Sequence, residues 1–143
     1  MAQWERRERP TDWSGIEAPA LEDLERLARQ AYAALPQEFR NLCDSLLIRV
    51  EDFPSGEILE ELDLESEFDL LGLFTGVGLA HKGSIFTGEM PNVIHLYRRP
   101  ILDYWAEHEE SLGSVITHVL VHEIGHHFGL SDDDMERIEL AAS

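Results

Sequence analysis

The sequence has few of the features that mark secreted, membrane-spanning or nucleic-acid-binding proteins. Its single cysteine, Cys43, has no partner for a disulfide within the chain and lies in an apolar context, so we expect it in the core. No stretch holds the roughly 18 uninterrupted apolar residues that a membrane span needs. Residues 1–20 are charged and contain proline, unlike a signal peptide. We therefore expect a cytoplasmic protein that does not enter a membrane.

Basic residues are also scarce. The chain has 11 Lys and Arg against 29 Asp and Glu, which gives a formal net charge of −18. Such a chain repels the phosphate backbone instead of releasing its counterions, so nucleic acid is not an expected partner. The charge is typical of a well-solvated surface, and a preference for basic peptide substrates is the alternative interpretation.

The length and composition predict one domain. A chain of 143 residues with 43% hydrophobic residues is long enough to bury one continuous core. Residues 1–16 show no apolar periodicity and are expected to form a flexible N-terminal arm. The domain itself is expected to span 17–143, without internal repeats.

Apolar spacing and breaker residues predict the order of the elements. Recurrence at three- and four-residue steps predicts helices at 17–35, 36–42, 56–62, 101–108 and 133–140, and a long helix that begins near Ser111 or Ser114 and ends at Gly129. Short β-branched runs predict strands at 46–50, expected to be buried, and at 92–97. The glycine-containing stretch 70–78 predicts turns instead of a regular element.

The chemistry is concentrated in the motif His122-Glu123-x-x-His126 on the long helix. Histidines four residues apart lie on one helix face, so both imidazoles can reach one zinc ion at about 2.0–2.1 Å. Glu123 projects about 100° away, beside the metal. A general base in that place can take a proton from zinc-activated water.

A third protein ligand is needed, because catalytic zinc usually has three protein ligands and a water. Gly129 can adopt the left-handed conformation that ends a helix, which allows Asp132 to turn back towards the metal. Asp133 and Asp134 are the alternatives, since a one-residue change in the turn would exchange their roles with Asp132.

The other histidines near the motif have less specific interpretations. His118 lies two turns from His126, about 12 Å along the axis, so one ion cannot easily bind His118, His122 and His126 together. We expect His118 beside the ligands or on the surface, His127 in packing or hydrogen bonding, and Met135 in the core. The general alternative, incidental metal affinity of surface histidines, is disfavoured because the motif coincides with the helix that its mechanism requires.

The sequence resembles the minimal matrix-metalloprotease-like bacterial domains, a compact branch of the zincin superfamily. The resemblance covers roughly residues 18–140 and rests on the segments 34–36 (ALP), 50–54 (VEDFP), 70–76 (LLGLFTG), 94–100 (IHLYRRP) and 122–132 (HEIGHHFGLSD). It implies an α+β zincin-like fold, in which a small mixed β-sheet packs against an N-terminal helix and the HExxH helix. It also implies His122, His126 and Asp132 as metal ligands and Glu123 as the base.

These features predict a zinc metalloendopeptidase that holds one Zn²⁺ and hydrolyses peptide bonds of a peptide or protein substrate. The donor set would also accept iron or manganese. Substrate is expected to lie extended along a sheet edge, for which 83–92 is the favoured region. Arg98 and Arg99 are expected to form ion pairs, with substrate binding as the alternative. The rival function is a zinc-containing peptide- or metal-binding module with little or no turnover.

Overall fold

The computed structural model describes residues 12–43, 45–76 and 91–142. Within these ranges the chain forms a small three-stranded sheet and six helices. The helices are α1 (Leu21–Ala33), α2 (Gln37–Arg40), α3 (Gly56–Glu61), α4 (Arg98–Glu107), α5 (Leu112–His127) and α6 (Asp132–Ala142). The strands are β1 (Leu46–Glu51), β2 (Gly72–Thr75) and β3 (Asn92–Tyr97), and a 3₁₀ turn covers Glu67–Asp69.

The sheet is mixed and has the order β1-β3-β2. The central strand β3 runs parallel to β1 and antiparallel to β2, so that Ile94 lies between Ile48 and Phe74. The prediction of a strand at 92–97 is confirmed. The prediction that the strand at 46–50 is buried is wrong: residues of β1 alternate between partly buried and exposed. Successive side chains point to opposite faces of the sheet, and only the face with Leu46, Ile48 and Val50 packs against the core.

The glycine-containing stretch at 70–78 also differs from its prediction as irregular turns. Gly72–Thr75 pairs with β3 as a regular strand. A Cβ atom on Gly72 would lie 2.7 Å from Cγ1 of Val119, so the glycine allows α5 to approach the sheet closely. The region favoured as a substrate-binding edge, 83–92, lies outside the described residues except for its last two positions.

One hydrophobic cluster joins the three strands and all helices except α3, with α5 at its centre. α5 packs against α1, α4, α6 and the strands β2 and β3. Ile116, Leu120 and Ile124 of α5 are completely buried, as are Leu24 of α1 and Ile94 of β3. The expected α+β architecture, a small mixed sheet against an N-terminal helix and the HExxH helix, is confirmed. The central place of α5 fixes the position of the motif that it carries.

Several smaller predictions are confirmed by this core. Cys43 is buried within the hydrophobic cluster, and Met135 is completely buried. Arg98 donates from Nε to the carbonyl oxygen of Pro19 at 2.6 Å and pairs with the carboxylate of Asp52 at 3.0 Å. Arg98 therefore has the predicted ion-pairing role.

Among the described residues, no helix has the length and apolar character needed to cross a membrane.

Candidate metal centre

Local sequence signals fix both ends of the helix that carries the motif. Ser111 caps the start of α5, where its hydroxyl accepts a hydrogen bond from the backbone N–H of Ser114. At the other end, Gly129 has a φ of +80°, as its predicted left-handed conformation requires. The N–H of Leu130 donates to the carbonyl of Gly125 at 2.9 Å, and that of Gly129 to the carbonyl of His126 at 3.1 Å. These two bonds form a Schellman motif, which stops α5 and turns the chain back.

The returning chain forms α6, which packs directly against α5 at Gly125. A Cβ atom on Gly125 would lie 2.5 Å from Sδ of the buried Met135. Further along α6, Glu139 contacts His122, which precedes Gly125 on α5. Since later residues of α6 meet earlier residues of α5, the two helices run antiparallel. Glycine at position 125 thus sets how closely α6 approaches the motif.

The motif residues lie together in one cleft. His118, His122, Glu123 and His126 line a space of about 300 Å³, with the wall opposite formed by Asp69, Leu70, Leu71 and Tyr104. The rings of His122 and His126 are 5.6 Å apart between centroids and nearly perpendicular, at 84°. A more open depression of about 500 Å³ lies between α1, α5 and α6, but no histidine lines it. Its lack of nitrogen ligands makes it a poorer candidate for a metal centre than the smaller cleft.

Glu139 of α6 contributes a carboxylate that the sequence interpretation did not include. Its Oε2 lies 3.0 Å from Nε2 of His122 and 3.0 Å from Nδ1 of His118. Over the part of the chain that the structure describes, His118, His122 and Glu139 are the one group of three or more His, Cys, Asp or Glu residues whose potential ligand atoms all lie within 4.8 Å of one another. Glu139 follows the buried Met135 by one helical turn, so helical periodicity alone would place it on the face towards α5.

The predicted third ligand lies at a different place. Asp132 is the exposed first residue of α6 and is not among the residues that line the cleft. The next acidic residue, Asp133, is exposed as well. Asp134 pairs with Arg137, and a hydrogen bond that its carboxylate accepts from the Ser131 side chain lowers the pKa of its carboxyl group. The assignment of Asp132 as a ligand stays a prediction, as do the alternatives Asp133 and Asp134.

The electrostatic environment of the motif favours neutral side chains. Burial raises the pKa of the Glu123 carboxyl group above its usual value, and the charge of the neighbouring His126 offsets this effect in part. Burial and the neighbouring His118 lower the pKa of His122, while Glu139 acts in the opposite direction. A lowered pKa keeps His122 in the neutral form, which is the form that binds metal ions.

His127 is directed away from this chemistry. Its ring packs against Phe74 of β2, with 4.5 Å between centroids, and against Phe128 at 5.0 Å. The expected packing role of His127 is confirmed. His127 therefore helps to fix the end of α5 against the sheet.

The donor set fits a transition metal. Three imidazoles and the carboxylate of Glu123 line one cleft, and Glu139, which lines the larger depression, contacts His118 and His122. Nitrogen and oxygen donors of this kind are typical of zinc sites that retain an open position. An all-oxygen set, as calcium or magnesium prefers, is absent from this cleft among the described residues.

A family model of known proteins matches most of the chain. The family model of the zincin-like metallopeptidases matches residues 43–142, which include the sheet, the cleft and both helices of the metal centre. Among curated proteins, none matches the chain.

Proposed function

The chain belongs to the zincin-like metallopeptidase family, and from this premise we propose that it is a zinc-dependent peptidase in which Glu123 is the general base. His122 and His126 would hold the ion, with Asp132 as the third protein ligand. The observation that carries the proposal is the shared cleft, in which Glu123 stands beside both histidines and is itself mostly removed from solvent.

When bound, zinc supplies Lewis acidity, which polarises the scissile carbonyl group and lowers the pKa of water. The protein must then move protons. Glu123 accepts a proton from the attacking water and passes it to the nitrogen of the leaving amine. The raised pKa of Glu123 suits both steps, because a carboxylate closer in pKa to the working pH is a better proton acceptor and, once protonated, still a competent donor.

The cleft also has surfaces suited to a peptide. Leu70, Leu71 and Tyr104 form a largely apolar wall opposite the motif and can contact substrate side chains. We propose that the peptide lies extended and adds to a sheet edge by main-chain hydrogen bonds. Residues 83–92 remain the expected edge, and a cytoplasmic location remains part of the proposal.

The rival function, a metal- or peptide-binding module without turnover, has no need of Glu123. A closed structural zinc site contains no base and no open position. Here a partly buried carboxylate lies beside the histidines in an open cleft. This arrangement favours hydrolysis.

The proposal is tested by Glu123→Gln, assayed with a diverse peptide library and with bound zinc measured in parallel. We expect the variant to keep its zinc and to lose at least about 100-fold in hydrolysis, the usual range of a general base. Glu136→Gln is the matched control, since Glu136 is an exposed glutamate on α6. Wild-type protein that carries one zinc and cleaves nothing in the library would instead establish the binding module.

A further inference from the structure

We propose that His118, His122 and Glu139 form a second metal-binding position, which shares His122 with the hydrolytic position. Its ligands would be two imidazole nitrogens from α5 and one carboxylate oxygen from α6. Zinc, or another divalent transition ion that prefers nitrogen and oxygen donors, is the chemical class that this set would bind. The position lies one turn nearer the start of α5 than the His122-His126 pair.

The spacing of the donor atoms matches a metal site. Ligand bonds of 2.0–2.2 Å at tetrahedral angles place neighbouring donor atoms about 3.4 Å apart. Oε2 of Glu139 is 3.0 Å from each of the two imidazole nitrogens, and all three ligand atoms lie within 4.8 Å of one another. The two distances from Glu139 to the imidazole nitrogens are thus within a few tenths of an ångström of the spacing that a bound ion requires. By contrast, His126 and Asp132 do not belong to any such group among the described residues.

The second position and the hydrolytic position exclude each other. His118 and His126 are separated by two helical turns, about 12 Å along the axis, so one ion cannot bind both. Both positions would use Nε2 of His122 as a ligand atom, and this nitrogen can bind only one ion at a time. The chain therefore holds one ion in either position, and an ion bound to His118 and Glu139 does not engage His126.

This exclusion has a consequence for activity, which rests on the proposed function. An ion in the second position is withdrawn from His126, the other histidine of the motif, which lines the cleft together with Glu123. The second position is thus a resting position of the metal centre. Because Glu139 belongs to α6, binding there also ties the last helix to α5.

The inference is tested by removing the hydrolytic position and titrating the remaining one with zinc against a chromophoric chelator. In the variant His126→Asn/Asp132→Asn both substituted residues are exposed, so the fold is retained and circular dichroism verifies it. We expect this variant to bind one zinc per chain. Adding Glu139→Gln should weaken that binding at least about tenfold, since even loss of an indirect partner of a ligand costs 10–100-fold.

Matched variants and a direct probe distinguish a ligand from a neighbour. Glu136→Gln, added in the same background, changes the charge of α6 equally and should leave zinc affinity unchanged. Histidine ¹⁵N NMR of the His126→Asn/Asp132→Asn variant should show Nδ1 of His118 and Nε2 of His122 shifting when zinc is added. If Glu139 only accepts hydrogen bonds from these rings, the titration is the same with glutamine at position 139, and the inference is overturned. It is equally overturned if the folded background variant binds no zinc.

These outcomes are separate from those of the peptidase test. Zinc affinity that depends on Glu139 supports the second position even if wild-type protein cleaves no peptide. Hydrolysis that depends on Glu123, together with zinc binding indifferent to Glu139, supports the peptidase and rejects the second position.

Discussion

The contact between Gly125 and Met135 allows a quantitative test of how α6 is held against the motif helix. A Cβ atom at position 125 would lie 2.5 Å from Sδ and 2.9 Å from Cγ of Met135, which is completely buried and has little room to move. Overpacking of this kind costs about 1–3 kcal/mol. Replacing a helical glycine by alanine gains about 1 kcal/mol from helix propensity. Gly125→Ala should thus change the stability of the wild-type protein by between about zero and −2 kcal/mol.

The sign of this effect should reverse when Met135 is truncated. Met135→Ala alone leaves a cavity and should cost about 2–5 kcal/mol. It also removes both atoms that the new Cβ would meet, so Gly125→Ala in that background should stabilise the protein by about 1 kcal/mol. The double-mutant cycle therefore predicts a coupling energy of about 1–3 kcal/mol between the two positions.

Urea unfolding in the presence of EDTA measures this cycle, because removing metal ions separates packing from metal binding. The midpoint and slope for the four proteins give the free energies of unfolding. Equal costs of Gly125→Ala with and without the methionine side chain would show that the two residues do not meet, and the described packing of α6 would be refuted.

Three further predictions concern residues of the core, the helix end and the cleft. Gly129→Ala should destabilise the protein by about 1–2 kcal/mol in thermal or urea unfolding, because its φ of +80° is unfavourable for alanine. The control Gly113→Ala, at an unstrained helical position, should cause no loss of stability in the same assay. Burial raises the pKa of Tyr97 to about 12, above its value of about 10 in the unfolded chain. The stability that the neutral phenol contributes is therefore complete below about pH 10 and is lost as the pH rises towards 12. In urea unfolding, Tyr97→Phe should lose less stability than the wild-type protein over that pH interval. In metal-free protein, ¹³C NMR should give Glu123 a pKa above that of free glutamate, and a value at or below the free one would contradict its buried position.

The helices and the central strand could be predicted because their signals are local. The apolar spacing of α1 and the left-handed Gly129 depend on a few neighbouring residues and appear in the structure as predicted, although α1 begins only at Leu21. Of the two predicted starts of α5, Ser111 and Ser114, the structure has the cap at Ser111. The strand at 92–97 is apolar along most of its length, as suits a strand between two others. For the same reason the HExxH motif could be placed on a helix without knowledge of the fold.

The two wrong predictions, the irregular stretch at 70–78 and the buried strand at 46–50, concern features that depend on contacts between distant parts of the chain. Gly72 lies in a regular strand because β3 pairs with it and Val119 needs the space, neither of which a short window of sequence contains. β1 has a strand's composition, but tertiary packing covers only the face that carries Leu46, Ile48 and Val50 and leaves the alternate residues exposed. Local sequence therefore identifies strands more readily than their burial.

The metal centre, too, has a part that local sequence predicts and a part that depends on tertiary contacts. His122, Glu123 and His126 lie within five residues, and their spacing on one helix is sufficient to bring them together. Glu139 reaches His118 and His122 only because the Schellman turn sends α6 back along α5 and Gly125 lets it approach. The contact between α5 and α6 is a tertiary contact. In the sequence, only the four-residue spacing between Met135 and Glu139 indicated that Glu139 faces α5.

His122 is common to both proposed metal positions, so its replacement tests the metal centre most directly. Zinc content measured by mass spectrometry after dialysis against limiting zinc should give one ion per chain for the wild-type protein and none for His122→Asn, with circular dichroism unchanged. Retention of one tightly bound zinc by folded His122→Asn would contradict the account, because the ion would then be held elsewhere.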